Sequence, residues 1–152
     1  MISKIKNKQK GFSLIEMMVV VVILGLIVLG LVTFFTGGAK SWVAGQSQLE
    51  AQRNARQAMD RMVREIREAS EVTTNDNTKI IFDTPWVTGI TYELLSKTIN
   101  RNSVPLINNV SNLDFDYPSL SKVHILLEVD VDNDGNPDIT LNTDVNLRNY
   151  GL

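Results

Sequence analysis

A long apolar stretch near the N-terminus constrains this chain more than any other sequence feature. Residues 12–39 contain one charged side chain, Glu16, and residues 17–35 consist mainly of Val, Ile and Leu. As an α-helix rising about 1.5 Å per residue, the segment from Phe12 to Phe35 would be about 36 Å long, against roughly 30 Å for a bilayer's hydrocarbon core. The sequence therefore predicts a membrane-spanning helix over residues 12–39. An ordinary secretory signal fits less well, because its apolar region is usually only about 7 to 15 residues long.

The charges around this stretch predict its orientation. The first 11 residues hold no acid and four lysines, which are Lys4, Lys6, Lys8 and Lys10. The positive-inside rule places the N-terminus in the cytoplasm and the chain beyond Lys40 across the membrane. Removing these four from the 15 basic residues would leave 11 against 17 acidic ones. The remaining chain would be acidic, so nucleic acid is not an expected partner.

The junction between the lysines and the apolar stretch carries a motif. Residues 10–16 read Lys-Gly-Phe-Ser-Leu-Ile-Glu. This heptapeptide resembles the cleavage and methylation motif of type IV prepilins at every position. The resemblance implies that a membrane aspartic prepilin peptidase cuts between Gly11 and Phe12 and then methylates the new amino group of Phe12. Cleavage there would remove a basic leader over residues 1–11 and keep the apolar helix intact.

Glu16 is a functional candidate because an ionised side chain inside a membrane-spanning helix is unfavourable. One interpretation is local: the carboxylate lies near the interface, stabilises the helix N-terminus and reaches towards water. The resemblance favours a second interpretation, in which Glu16 pairs with the amino group of Phe12 in a neighbouring subunit. That pair would set the axial register of a filament.

Helical spacing continues beyond the apolar stretch, although the surrounding residues become polar. One face recurs at steps of three or four and comprises Trp42, Gly45, Leu49, Gln52, Ala55, Met59, Met62, Ile66 and Ala69. We therefore predict one helix from about Ser13 to Glu71, amphipathic over residues 40–71. Adjacent glycines at residues 37–38 predict a bend or local melting there.

The charged residues of this amphipathic segment alternate in sign. Arg61 and Glu65 form one of several opposite-charge pairs spaced four residues apart, which stabilise a helix by a few tenths of a kcal/mol each. Five arginines lie between residues 53 and 67, but acids are interleaved with them. A solvated or subunit-facing surface therefore explains these arginines better than a stripe that binds nucleic acid.

Beyond residue 71 the sequence predicts short strands separated by turns. Strands are predicted over residues 79–82, 89–95, 113–117, 123–132 and 138–146, with turn-rich segments over 73–78, 100–105 and 132–137. The predicted fold class is α+β, with the long N-terminal α-helix packed on a small antiparallel β-sheet. Residues 72–152 would form an extracytoplasmic β-rich domain. Four aromatic residues are interpreted as core: Phe82, Trp86, Phe115 and Tyr117.

An acidic loop over residues 130–138 has the Asp-x-Asp-x-Asp-Gly spacing of calcium loops. Its candidate ligands are the carboxylates of Asp130, Asp132, Asp134 and Asp138 and the backbone carbonyl of Asn136. An EF-hand requires a bidentate Glu at the twelfth position, where this chain has Leu141. The alternative is an exposed β-hairpin with an Asp-Gly turn and no metal.

The sequence gives little support for a catalytic role. Its single histidine, His124, lies in a predicted strand, and no nucleophile motif lies near it. The chain is not expected to be an enzyme or to require a cofactor, apart from the Ca²⁺ considered above.

Residues 52–69, 105–117 and 146–149 are similar to minor pilins and minor pseudopilins. The resemblance implies a minor pilin of a type IV pilus or, as alternatives, a type II secretion pseudopilin or a membrane-anchored, calcium-dependent binding module that never polymerises. Expected partners are prepilin peptidase, other pilin or pseudopilin subunits and an inner-membrane assembly platform. The expected location is the cytoplasmic membrane in a single pass, followed by the filament.

Overall fold

A computed structural model describes residues 11–73 and 76–151, so most of the predicted leader lies outside the described residues. The elements are α1 (Leu14–Arg67), β1 (Glu71–Val72), β2 (Lys79–Asp83), β3 (Ile90–Leu95), β4 (Thr98–Arg101), β5 (Val104–Ile107), β6 (Val110–Ser119), β7 (Lys122–Val129) and β8 (Ile139–Asn146). One long helix followed by antiparallel strands confirms the predicted α+β class. The chain forms two compact units, divided between Ala44 and Gly45 within α1.

In the first unit, α1 is helical without interruption from Leu14 to Ala44. The local melting predicted at residues 37–38 is therefore wrong, since a glycine costs a helix only about 1 kcal/mol relative to alanine. Hydroxyl groups in this segment bond back to the helix, as Thr33 Oγ1 donates to the carbonyl of Leu29 at 2.9 Å. In the described part of the chain, α1 is the one helix long and apolar enough to cross a membrane.

The second unit combines the C-terminal part of α1 with two antiparallel sheets. The first sheet has the strand order β1-β2-β3-β4-β5, and the second has the order β6-β7-β8. Five side chains of α1 enter the core: Ala55, Ala58, Met59, Met62 and Ile66. Three of them, Met59, Met62 and Ile66, belong to the apolar face predicted from the helical spacing, so the predicted packing of this helix on a sheet is confirmed.

The strands complete this core through alternation. Every second residue of β7 is buried, namely Val123, Ile125, Leu127 and Val129. Phe82 and Tyr92 stack with ring centroids 6.2 Å apart and planes inclined by 8°. Phe115 is fully buried and Tyr117 packs against the core, but Trp86 is 88% exposed. The assignment of Trp86 to the core is wrong, because it lies in the loop between β2 and β3 instead of on a strand.

Strands β4 and β5 replace most of the turn predicted over residues 100–105. The turn between them is only Asn102 and Ser103, with φ of 48° and 67°. Residues Ser96 and Lys97, between β3 and β4, likewise have positive φ of 48° and 63°. Two successive left-handed residues are the signature of the type I′ turn, which closes a tight β-hairpin. Since neither pair contains glycine, the usual sequence signal for this turn was missing.

The helix α1 ends at Arg67, four residues before the predicted end at Glu71. Glu71 instead lies in β1, where it pairs with Asp83 of β2. Residues distant in sequence satisfy the carbonyl groups that the helix leaves free. The Arg148 amide donates to the Arg67 carbonyl at 2.7 Å, and Asn149 Nδ2 donates to the Glu68 carbonyl at 2.9 Å. These partners stop the helix although its sequence pattern continues.

Candidate functional site

The N-terminal motif lies where irregular backbone becomes helix. Gly11, Phe12 and Ser13 precede α1, and a Cβ added at Gly11 would meet no atom within 4 Å apart from its chain neighbours. Phe12 is 79% exposed. The peptide bond between Gly11 and Phe12 therefore lies in non-helical backbone with both flanking residues exposed, a geometry that a peptidase can bind.

Glu16 turns back towards the start of the helix. The backbone N–H of Ser13 donates to Glu16 Oε2 at 3.4 Å, three residues apart. Ser13 and Glu16 thus occupy the first and fourth positions of a capping box, in which an acid satisfies a free N–H at the helix start. This contact supports the local interpretation of Glu16. The pairing of Glu16 with the amino group of Phe12 in a neighbouring subunit remains a prediction.

The surface of α1 over residues 17–35 is apolar on all sides. Every residue from Gly11 to Glu50 is exposed, including Phe34 at 78% and Trp42 at 75%. A helix that is apolar all round is stable only when lipid or other protein covers it. Residues 12–35 therefore require a covering outside this chain's own fold.

The acidic loop is the second candidate site, and it joins β7 to β8. One carboxylate oxygen from each of Asp130, Asp132 and Asp138 lies within 4.8 Å of the others. Asp134 is not part of this group. Both of its carboxylate oxygens face Asn136: Oδ1 accepts the Asn136 N–H at 2.7 Å and Oδ2 accepts Asn136 Nδ2 at 3.3 Å. The structure thus brings together three of the four predicted carboxylates.

A further cluster, which the sequence only partly indicated, fixes α1 to the first sheet. Glu65 Oε2 accepts hydrogen bonds from Arg101 Nε at 2.8 Å and from the Tyr92 hydroxyl at 2.9 Å. Its Oε1 accepts one from Arg61 Nε at 3.1 Å, which confirms that predicted pair. Burial raises the pKa of Glu65, but the hydrogen bonds from both arginines and Tyr92 outweigh it, so the pKa lies below its ordinary value. We call Glu65, Arg61, Tyr92 and Arg101 the Glu65 cluster.

His124 lies in an ion cluster on the outer face of the second sheet. Its Nδ1 is 2.6 Å from Asp144 Oδ1, and Lys122 Nζ is 2.7 Å from Asp144 Oδ2. The hydrogen bond from Lys122, followed by that from His124, lowers the pKa of Asp144. The neighbours of His124 in this cluster thus include no nucleophile, and the arrangement is that of a surface ion pair.

Comparison with known proteins identifies the first of these sites. The family described as the prokaryotic N-terminal methylation motif matches residues 6–32. That match covers the predicted cleavage junction, Glu16 and most of the apolar stretch, and it ends well before the sheets. No curated protein and no solved structure matches the chain. Over residues 6–32 the chain therefore carries the N-terminal methylation signature of type IV prepilins.

Proposed function

We propose that this chain is a minor pilin, a structural subunit of a type IV pilus or a related filament. The observation that carries the proposal is the methylation motif at the head of a helix with no covering of its own. Lipid would cover that helix before assembly, and other pilin helices would cover it afterwards. Residues 12–39 contain no proline, whereas many abundant shaft pilins have one in this part of the helix. That difference favours a minor subunit.

The first step of this function is processing. A prepilin peptidase would cut after Gly11, remove the basic leader and methylate Phe12. We expect Gly11→Val to abolish cleavage, because a branched side chain would occupy a position that is now open. Gly25→Val is the matched control: it lies in the apolar helix, a Cβ there also meets open space, and cleavage should be normal.

Mass spectrometry of the purified N-terminus measures this processing directly. The expected wild-type product begins at a methylated Phe12. A product that begins at Met1, or at a residue beyond Ala39, would contradict the proposal.

The second step is assembly, for which we propose that Glu16 pairs with the amino group of Phe12 in a neighbouring subunit. Glu16→Gln isolates the charge, because glutamine can still accept the Ser13 hydrogen bond of the capping box. We expect Glu16→Gln to be cleaved normally and to be depleted from filaments. Asp60→Ala removes an exposed carboxylate elsewhere on α1 and serves as the control.

Shearing of cells followed by immunoblotting measures incorporation. Normal incorporation of Glu16→Gln would exclude pairing through its charge. Wild-type chain that is processed but absent from sheared filaments would instead favour an anchored module or a periplasmic pseudopilus. A secretion defect in the deletion strain would then identify the pseudopilin role.

A further inference from the structure

The acidic loop contains a carboxylate that its own fold leaves unsatisfied. Asp130 is 2% exposed, and its Oδ1 has no hydrogen-bond partner in the described part of the chain. Among residues 11–73 and 76–151, its Oδ2 accepts one hydrogen bond, from the Gly135 N–H at 3.0 Å. A buried carboxylate oxygen without a donor is costly, so such an atom requires an explanation.

The surrounding residues supply further negative charge and no balancing side chain. Asp132 and Asp138 each place an oxygen within 4.8 Å of the Asp130 group. Lys97 contacts the loop at an amide instead of a carboxylate, since its Nζ donates to the Asn133 side-chain oxygen at 2.9 Å. Within residues 11–73 and 76–151, none of the loop's aspartates forms a salt bridge. These carboxylates therefore lack a balancing positive charge, which a bound cation would supply.

We propose that this loop binds Ca²⁺ through one oxygen from each of Asp130, Asp132 and Asp138. Ca²⁺ binds six to eight oxygens at roughly 2.3–2.6 Å, so oxygens that share one ion lie at most about 5 Å apart, which the three carboxylates satisfy. Backbone carbonyls and water would supply the remaining ligands. An affinity near 10⁻⁴–10⁻³ M, the range typical of extracellular modules, is the expectation.

This ligand set differs from that of an EF-hand. Asp134, a ligand by sequence spacing, is turned towards Asn136 and braces the loop. The twelfth position is Leu141, which packs against the core from β8. The site is therefore a three-carboxylate loop between two strands, and Asp134 has a structural role.

Calcium at this position would connect separate parts of the domain. The Asp130 N–H donates to the Asn109 carbonyl at 2.9 Å, between β5 and β6, and Asp138 Oδ2 accepts the Val131 N–H at 2.8 Å. An ion held by Asp130 and Asp138 thus fixes both ends of the loop and the adjoining turn. The chain contains no cysteine, so this metal would replace the disulfide that often stabilises small exported domains.

The test uses the full chain in detergent micelles, stripped of metal by a chelator. Calcium is titrated by calorimetry, and thermal unfolding is followed with and without the ion. We expect a binding signal at submillimolar to millimolar Ca²⁺ and a rise in Tm. Asp130→Asn and Asp138→Asn should weaken binding by about tenfold or more, because ligand charge sets calcium affinity.

Asp134→Asn is the matched control, since asparagine retains the oxygen that accepts the Asn136 N–H. It should bind within about twofold of wild type. Metal-free Asp130→Asn should unfold at or above the temperature of metal-free wild type, because one of three neighbouring negative charges is gone. That result would show that the variant is folded, so that its weaker calcium binding is not due to unfolding.

Three results would overturn the proposal: no calcium response at several millimolar, equal loss in Asp134→Asn and Asp130→Asn, or an equal response to Mg²⁺. None of these measurements depends on filament assembly. The calcium proposal can therefore fail while the pilin proposal stands, and the reverse also holds.

Discussion

Replacing Glu65 with alanine tests how the helix is held on the first sheet. The substitution removes the acceptor of three hydrogen bonds, from Arg101, Tyr92 and Arg61. It also leaves the hydroxyl of Tyr92, a fully buried residue, without its partner. The Glu65 cluster would then lose the contacts that connect α1 with β3 and β4.

The magnitude follows from the exposure of each partner. A hydrogen bond to a charged group contributes about 1.5–3 kcal/mol. We take the lower limit for Arg101 and Tyr92, because the side chains of Glu65 and Arg101 are 20% and 27% exposed. Arg61 is 42% exposed, and an exposed pair four residues apart on a helix contributes only about 0.3–0.5 kcal/mol. The expected loss in the free energy of unfolding is about 3 kcal/mol.

Urea unfolding of the full chain in micelles, followed by near-UV circular dichroism, measures this loss. The stacked and buried rings of Phe82 and Tyr92 contribute to that signal. Arg101→Ala and the double variant with Glu65→Ala complete a mutant cycle, and the two losses should be strongly non-additive. A Glu65→Ala protein within about 0.5 kcal/mol of wild type, or additive losses, would refute the proposed contribution of the cluster.

Three further predictions concern pH, turn chemistry and topology. Because folding lowers the pKa of Glu65 from 4.5, the ionised carboxylate stabilises the folded state fully above pH 4.5, and this stabilisation is lost as the pH falls and Glu65 is protonated. Glu65→Gln, which cannot ionise, should therefore show a smaller fall in Tm below pH 4.5 than wild type. Ser103→Gly should raise the free energy of unfolding by about 0.5 kcal/mol, because Ser103 has φ of 67°, whereas Ser119→Gly in β6 should lower it. In this cysteine-free chain, Leu120→Cys should react with a membrane-impermeant maleimide added outside the cytoplasmic membrane, because Leu120 is 81% exposed. Val28→Cys, which lies in the predicted membrane-spanning segment, should not react. Labelling of Val28→Cys would contradict a membrane-spanning segment.

The parts of the fold that were predictable from sequence are those where one periodicity dominates. The apolar stretch specifies a helix although it is rich in Val and Ile, because it is far longer than a strand and a helix in lipid pairs its backbone polar groups within the segment. In β7, apolar residues at every second position specify both the strand and its buried face. Met62 and Ile66 likewise follow from spacing alone.

The parts that were missed depend on contacts between distant residues. The turn at Asn102 and Ser103 has no glycine, so its left-handed backbone becomes evident only when β4 and β5 pair. The end of α1 at Arg67 depends on Arg148, far along the chain. Trp86 shows the reverse case: its size suggested burial, but its loop leaves it in solvent.

The candidate sites divide in the same way. The cleavage motif is contiguous, so the sequence alone reveals it. The acidic loop is also contiguous, but spacing cannot show that Asp134 turns towards Asn136 while Asp130 is buried. The Glu65 cluster joins residues from three elements, and only the pair of Arg61 and Glu65 had a sequence signal.

The hydrogen bonds from Arg148 and Asn149 to the C-terminal end of α1 also affect the order of folding. Asn149 bonds to a residue 81 positions earlier in the chain, and contacts of such separation form late because their loop-closure entropy must be overcome first. If the domain crosses the membrane with its helical part ahead of its last strands, the carbonyls at the end of the helix remain free until residue 149 has emerged. Translocation and folding of this domain would then be sequential, and a chain stalled in export would expose an unfinished helix end and the unpaired edge of β7.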